Sequence, residues 1–143
     1  VIYVDGRCNM HCGFCIHAAV DARKTPVISP DQWGQVFKKA KSLLHLTVTG
    51  GEPFLRKDLH QIINLFKKQV VSIPTNGYLL KNIEEQIGLI DKKKTELVIN
   101  FSLDGLEKTH NIVRKNEQSW DKVWDTFGEL KKIKHIFDNI LTL

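Results

Sequence analysis

After Cys15 the chain contains no further cysteine. The three it has, Cys8, Cys12 and Cys15, fall within eight consecutive residues, an odd and clustered set. Such a set is a poor framework for cross-linking disulfides, because neighbours this close would form only small, strained rings. A reducing compartment and a bound metal are the expectation instead. Also missing is any run near the roughly 18 apolar residues that mark a membrane span. No basic stretch followed by an apolar run and a small-residue cleavage site opens the chain, so the expected location is cytoplasmic, with no membrane partner. Internal repeats, low-complexity segments and linkers are absent too.

The 143 residues match an allowance of about 150 per domain, which predicts a single domain over 1–143. With 42% hydrophobic and 26% charged residues, the chain falls among soluble globular proteins rather than disordered or collagen-like ones. Its formal charge of +5 could attract nucleic acid. Lysines, however, are spread over every expected helix and no basic–aromatic strip is present, so a nucleic-acid partner is not expected. The chain starts at Val1, already inside a strand-like run, so the native start is expected upstream.

Local patterns alternate. Val1-Ile2-Tyr3-Val4 reads as a buried strand that feeds the cysteine segment through Asp5-Gly6. Ser29-Pro30-Asp31-Gln32 predicts a capped helix start, followed at helical spacing by Trp33, Val36, Phe37, Ala40 and Leu43. Leu46–Thr49 is a second strand, ended by Gly50-Gly51-Glu52-Pro53, and Leu59, Ile62, Ile63 and Phe66 mark the next helix. A third strand, Val70–Ile73, ends at Pro74-Thr75-Asn76-Gly77, with a helix opened by Asn82 behind it. The fourth strand spans Glu96–Leu103, and a polar connection leads to a long helix capped by Ser119 and carrying Trp120, Val123, Trp124, Phe127, Leu130 and Phe137. Asn139 then begins a fifth strand. Lys92-Lys93-Lys94 reads as the solvated last turn of the third helix.

Strands alternating with amphipathic helices predict βαβ units around a parallel sheet. In such folds function gathers at the carboxyl ends of the strands. That rule selects Gly6–Cys15, Gly50–Pro53, Thr75–Gly77 and Ser102–Gly105.

Three soft thiolates spaced C-x3-C-x2-C can surround one metal centre and leave a position open. Zinc would need a fourth ligand, which His11 or His17 could supply to close a structural site. An iron–sulfur cluster ordinarily takes four cysteines, so three would leave one iron free to bind something else. Taken singly, Gly-Gly-Glu-Pro, Asn76-Gly77 and Asp104-Gly105 are ordinary turn sequences. The tryptophans lie on apolar helix faces and read as packing residues.

The cysteine motif, with Phe14 just before its last member, resembles the hallmark of the radical S-adenosylmethionine (SAM) enzymes. Thr49-Gly50-Gly51-Glu52-Pro53 is similar to that family's segment after the second strand. Pro74–Gly77 resembles its third-strand ending, and Ser102-Leu103-Asp104-Gly105 with Glu107, His110 and Arg114 resembles its fourth-strand region. The resemblance implies that Cys8, Cys12 and Cys15 ligate a [4Fe–4S] cluster whose fourth iron is chelated by SAM. It further implies that Gly50, Gly51, Glu52 and Pro53 meet the SAM amino group and that Ser102 bonds a ribose hydroxyl. Asn76 and Asp104 are further candidate contacts, and Phe14 would lie near the adenine. Arg114 would serve either the SAM carboxylate or a structural ion pair.

The activity implied is reductive cleavage of SAM to a 5′-deoxyadenosyl radical that takes hydrogen from a substrate, a peptide or a small molecule. An external one-electron reductant is required, and oxygen sensitivity follows. The alternative is a non-catalytic metal-binding module, holding structural zinc or an electron-transfer iron–sulfur centre. The implied fold is α/β, a partial (β/α)6 TIM-like barrel of parallel strands, with the sequence expected to stop in the fifth strand. At roughly 31 residues per βα unit, the length matches four and a half units. The fourth-strand wording is most similar to the branch of peptide-modifying maturases and the molybdenum-cofactor enzyme.

Overall fold

The computed structural model describes residues 1–16, 26–40, 44–66, 69–91, 93 and 95–133. His17, Leu43, Lys92, Lys94, Phe137 and the strand expected from Asn139 lie outside the described residues. Four strands, β1 (Ile2–Asp5), β2 (His45–Gly50), β3 (Gln69–Thr75) and β4 (Thr95–Phe101), form one parallel sheet in the order β1-β2-β3-β4. Spatial order equals chain order, so the sheet has no switch point at which its winding reverses. Successive right-handed crossovers in one direction put the helices that connect the described strands on the same face. This is the winding of a barrel wall, and the four described strands leave it open.

Side-chain alternation divides the sheet's faces. Leu46 and Val48 on β2, Val71 and Ile73 on β3, and Ile99 and Phe101 on β4 are buried against the helices. Matching positions come from Trp33 of α1 (Pro30–Lys39), Leu59, Ile62 and Ile63 of α2 (Leu59–Ile63), Ile83 and Ile87 of α3 (Leu80–Gly88), and Val123 and Leu130 of α5 (Ser119–Lys131). The other face carries Thr47, Thr49, Ser72, Pro74 and Asn100, with Asn100 hydrogen-bonded to Ser72 across the sheet. One face is a core and the other is polar. No helix among the described residues is long and apolar enough to cross a membrane.

Several local expectations hold and several need correction. Ser29 and Gln32 form the reciprocal capping box of α1, whereas Val36 is 49% exposed and belongs to the outer face. The helix α3 begins at Leu80, and Asn82 inside it donates to the Phe54 carbonyl rather than capping. It ends at Gly88, so Lys93 lies in a turn beyond it. Pro74 belongs to β3 itself, past the β2–β3 ladder that ends at Thr47–Ser72. The polar connection after β4 is a helix, α4 (Glu107–Arg114). Ser119 is the first residue of α5 and caps nothing; its hydroxyl is turned to His110.

Buried Arg56 pins the amino-terminal strand in place. Its guanidinium donates to the Val4 carbonyl at 2.7 Å and the Ile28 carbonyl at 2.9 Å, and it forks onto both Asp58 oxygens. Those hydrogen bonds hold the Asp58 carboxyl below its ordinary range. Because the folded-state pKa lies under the unfolded value of about 3.9, this stabilisation is complete above that value and disappears as pH falls through the folded pKa. The stability difference between wild type and Asp58→Asn, measured by urea denaturation, is therefore expected to be constant near neutrality and to shrink below about pH 4.

Candidate functional site

The cysteine loop leaves β1 at Asp5, whose buried carboxylate accepts the Arg7 backbone N–H at 2.9 Å and is clasped by the Arg7 guanidinium. Burial alone would raise the Asp5 pKa, but these Arg7 bonds outweigh it and the carboxyl sits low. The loop then runs against the end of β2. Gly51 N–H donates to the Asp5 carbonyl at 2.8 Å and Glu52 N–H to the Arg7 carbonyl at 2.9 Å. A Cβ on Gly50 would stand 2.1 Å from the Asp5 oxygen, and one on Gly51 would stand 2.3 Å from the Arg7 oxygen. Both positions therefore require glycine, because two backbones meet there.

Glu52 is 1% exposed. One of its oxygens accepts Phe54 N–H at 3.2 Å and the Thr75 hydroxyl at 2.9 Å; the other accepts Asn76 N–H at 2.9 Å. Burial pushes its pKa up, opposed by these three bonds and by the Arg114 charge. A carboxylate has about four acceptor positions, so one on the second oxygen remains beyond the three in use. Asn76 in turn donates to Asn9 at 2.9 Å and approaches the Cys8 sulfur at 3.9 Å. Met10 N–H also reaches that sulfur, at 3.4 Å. Burial raises the Cys8 pKa, helped by the charges of Glu52, Cys12 and Cys15.

From the other side, β4 leads through Ser102 to α4. Arg114 is ion-paired with Asp104, lies 5.6 Å over the Phe14 ring and directs an N–H toward Cys12 Sγ at 3.9 Å. Gly13 N–H meanwhile donates to the Val113 carbonyl at 3.0 Å.

These elements enclose a cavity of about 110 Å³ at the carboxyl ends of the strands. Cys8, Cys12, Cys15, Phe14, Gly51, Glu52, Asn76, Ser102 and Arg114 line it, as do Met10 and Thr75 from the selected strand-end stretches and Thr49 and Pro74 from just outside them. Thr49 was findable, since it stands next to the carboxyl end of β2 and beside the glycine-rich turn. Gly50, Pro53 and Asp104 do not line it: Gly50 backs onto Asp5, Pro53 is buried at the start of the turn Pro53–Leu55, and Asp104 holds Arg114.

All three cysteines are free of disulfides and open on this one cavity. Soft sulfur donors suit iron, and the donor chemistry fits an iron–sulfur group. The thiols are not drawn into a cage: among the described residues no three His, Cys, Asp or Glu side chains stand close enough to hold a metal ion. His11 does not line the cavity, and its ring lies 2.9 Å from the Met10 carbonyl.

The sequence profile of the Radical SAM superfamily matches residues 2–143. The chain belongs to that superfamily of enzymes. Among curated relatives, the probable GTP 3′,8-cyclase of Methanocaldococcus jannaschii is 27% identical over 92% of this chain and 41% of its own length. That of Archaeoglobus fulgidus is 35% identical over 74% of this chain and 35% of its own. Molybdenum cofactor biosynthesis protein 1 of Dictyostelium discoideum is 27% identical over 91% and 21%. These names agree with the molybdenum-cofactor side of the expected branch. A solved structure of native anSMEcpe with bound AdoMet and Cp18Cys peptide shares the fold, with a TM-score of 0.66 at 20% identity, over 97% of this chain and 40% of that one. The radical SAM chain described here thus spans about two fifths or less of the length of these relatives.

Replacing Glu52 by alanine would leave the Phe54 amide, the Asn76 amide and the Thr75 hydroxyl without their acceptor in a buried place. Glu52→Ala is expected to lose at least about 2 kcal/mol of folding stability in urea titrations. Thr75→Val, which removes one of these three bonds together with the acceptor of the Gly77 N–H but keeps both amide bonds to Glu52, should lose less.

Proposed function

We propose that this chain is a radical SAM core domain in which Cys8, Cys12 and Cys15 hold a [4Fe–4S] cluster and the ends of β2, β3 and β4 hold SAM. The observation that carries this reading is the opening of all three cysteines, Glu52 and the polar strand ends on a single cavity. When bound, the reduced cluster supplies reductive cleavage of SAM's sulfonium to methionine and a 5′-deoxyadenosyl radical able to take hydrogen from a substrate. The protein's part is binding and orientation. The remaining acceptor position of Glu52 takes the SAM ammonium in a charge-assisted bond. Ser102 bonds a ribose hydroxyl, Asn76 fixes the Cys8 side of the loop, and exposed Phe14 offers a flat face to the adenine. Gly50, Gly51, Pro53 and Asp104 act one step back, by setting the backbone and the guanidinium on which those contacts depend.

An external one-electron reductant is needed, and a reducing cytoplasm suits the free thiols. Substrates are peptides or small molecules, and GTP is the first to test, because curated relatives are named as acting on it. A non-catalytic metal module would have no use for the polar strand ends gathered around the thiols.

Anaerobic reconstitution with iron and sulfide is expected to give visible iron–sulfur absorption, and dithionite plus SAM should yield 5′-deoxyadenosine. Cys12→Ala should lose the absorption. Glu52→Ala protein that still folds should keep it and bind SAM more weakly. One zinc per chain with no iron–sulfur absorption would overturn the proposal.

A further inference from the structure

The inner side of α4 buries His110 and Arg114 and no apolar side chain. A helix that merely covered the sheet would bury hydrocarbon, so these two polar groups call for a reason. His110 is wholly buried, and Asp104 N–H donates to its Nδ1 at 3.3 Å. An amide can only donate, so Nδ1 is an acceptor and the ring proton resides on Nε2, which donates to Ser119 Oγ at 2.9 Å. Burial and the Arg114 charge both favour this neutral ring. The Asp104 carboxylate next to it takes the Arg114 Nε–H, and the far end of the guanidinium points to Cys12. Hydrogen bonds therefore lead from the start of α5 to a cysteine sulfur, joined within Asp104 from its backbone N–H to its carboxylate.

We propose that His110 is a positioning residue which, through Asp104, fixes the Arg114 guanidinium as a cationic N–H donor to the Cys12 thiolate and so raises the reduction potential of the cluster. The proposal rests on the iron–sulfur reading given above. Reduction adds a negative charge to the centre, and a fixed cation with an N–H aimed at a ligand sulfur stabilises the reduced state over the oxidised one. A long arginine side chain left untethered would lose that aim to its own rotamer freedom. The neutral imidazole orients Asp104 without adding a second charge.

The test is a redox titration of anaerobically reconstituted full-length chain, without SAM, followed by electron paramagnetic resonance, with iron content measured for each variant. Arg114→Gln and His110→Leu are expected to move the midpoint to more negative potential. Ser119→Ala should move it the same way by less, and His110→Asn, which keeps an acceptor near the Nδ1 position, should lie closer to wild type than His110→Leu. An unchanged potential in Arg114→Gln overturns the donor role. A shifted Arg114→Gln with wild-type potentials in both His110→Leu and Ser119→Ala overturns the role of His110. If His110→Leu does not fold, a wild-type potential in Ser119→Ala alone overturns that role. A wild type that assembles no cluster fails the iron–sulfur reading itself, and this proposal with it.

Discussion

A carboxylate at 1% exposure has to find donors inside the protein, and Glu52 finds them on two different elements. Its oxygens take the Thr75 hydroxyl and the Asn76 amide from the end of β3, and the Phe54 amide from the turn after β2. Its own backbone N–H goes to Arg7, in the loop after β1. One residue therefore joins three strand ends. The loop that presents the thiols has no regular structure of its own over residues 6–15. Its place is set by this residue, by the neighbouring Gly51 amide and by the contacts from α4. Glycine at 50 and 51 is what lets the two backbones come close enough for these bonds.

The opposite wall is built on a different principle. Where the loops after β1 and β2 are stitched by main-chain amides, the segment after β4 meets the cysteine loop through one main-chain bond, Gly13 to Val113, and through the Arg114 side chain over Phe14 and toward Cys12. Main-chain stitching is rigid and carries no net charge. Arginine brings a charge, and only its partners restrict where that charge points. The hydrogen-bonded partner is Asp104, with His110 bonded to the Asp104 N–H and Ser119 to His110 behind it.

Much of this was legible in the sequence because hydrophobic period and turn chemistry agreed. The cysteine spacing, the glycine-rich end of β2 and the strand–helix alternation identify the family and the open barrel wall. What escaped detection shares a physical cause. Helix α4 buries imidazole and guanidinium instead of hydrocarbon, so apolar periodicity is silent over Glu107–Arg114 and the segment reads as a connection. Ser119 was misread for a related reason: a serine at a helix start is normally a cap, and only the position of His110 shows that its hydroxyl is used elsewhere. Gly50 and Gly51 were expected to admit a ligand. Both admit the neighbouring loop, and Gly51 lines the cavity as well; the close approach of the loop is invisible without the third dimension.

Charge around the cavity explains why a cationic ligand suits it. Among the residues that line it, Arg114 is the sole permanent cation, and it is already paired with Asp104. Facing it are Glu52, whose buried carboxylate is costly to ionise, and three thiols, which must lose their protons to bind metal. Each deprotonation makes the next harder, and the Cys8 pKa, raised first by burial, is raised further by the charges of Glu52, Cys12 and Cys15. A centre of this kind is stable only if positive charge enters with the ligands. In the reading proposed above, iron would supply it to the sulfurs, and SAM, with an ammonium and a sulfonium against one carboxylate, would supply it next to Glu52. Once the thiols are deprotonated, such a lining would favour SAM over a neutral or anionic molecule of similar shape.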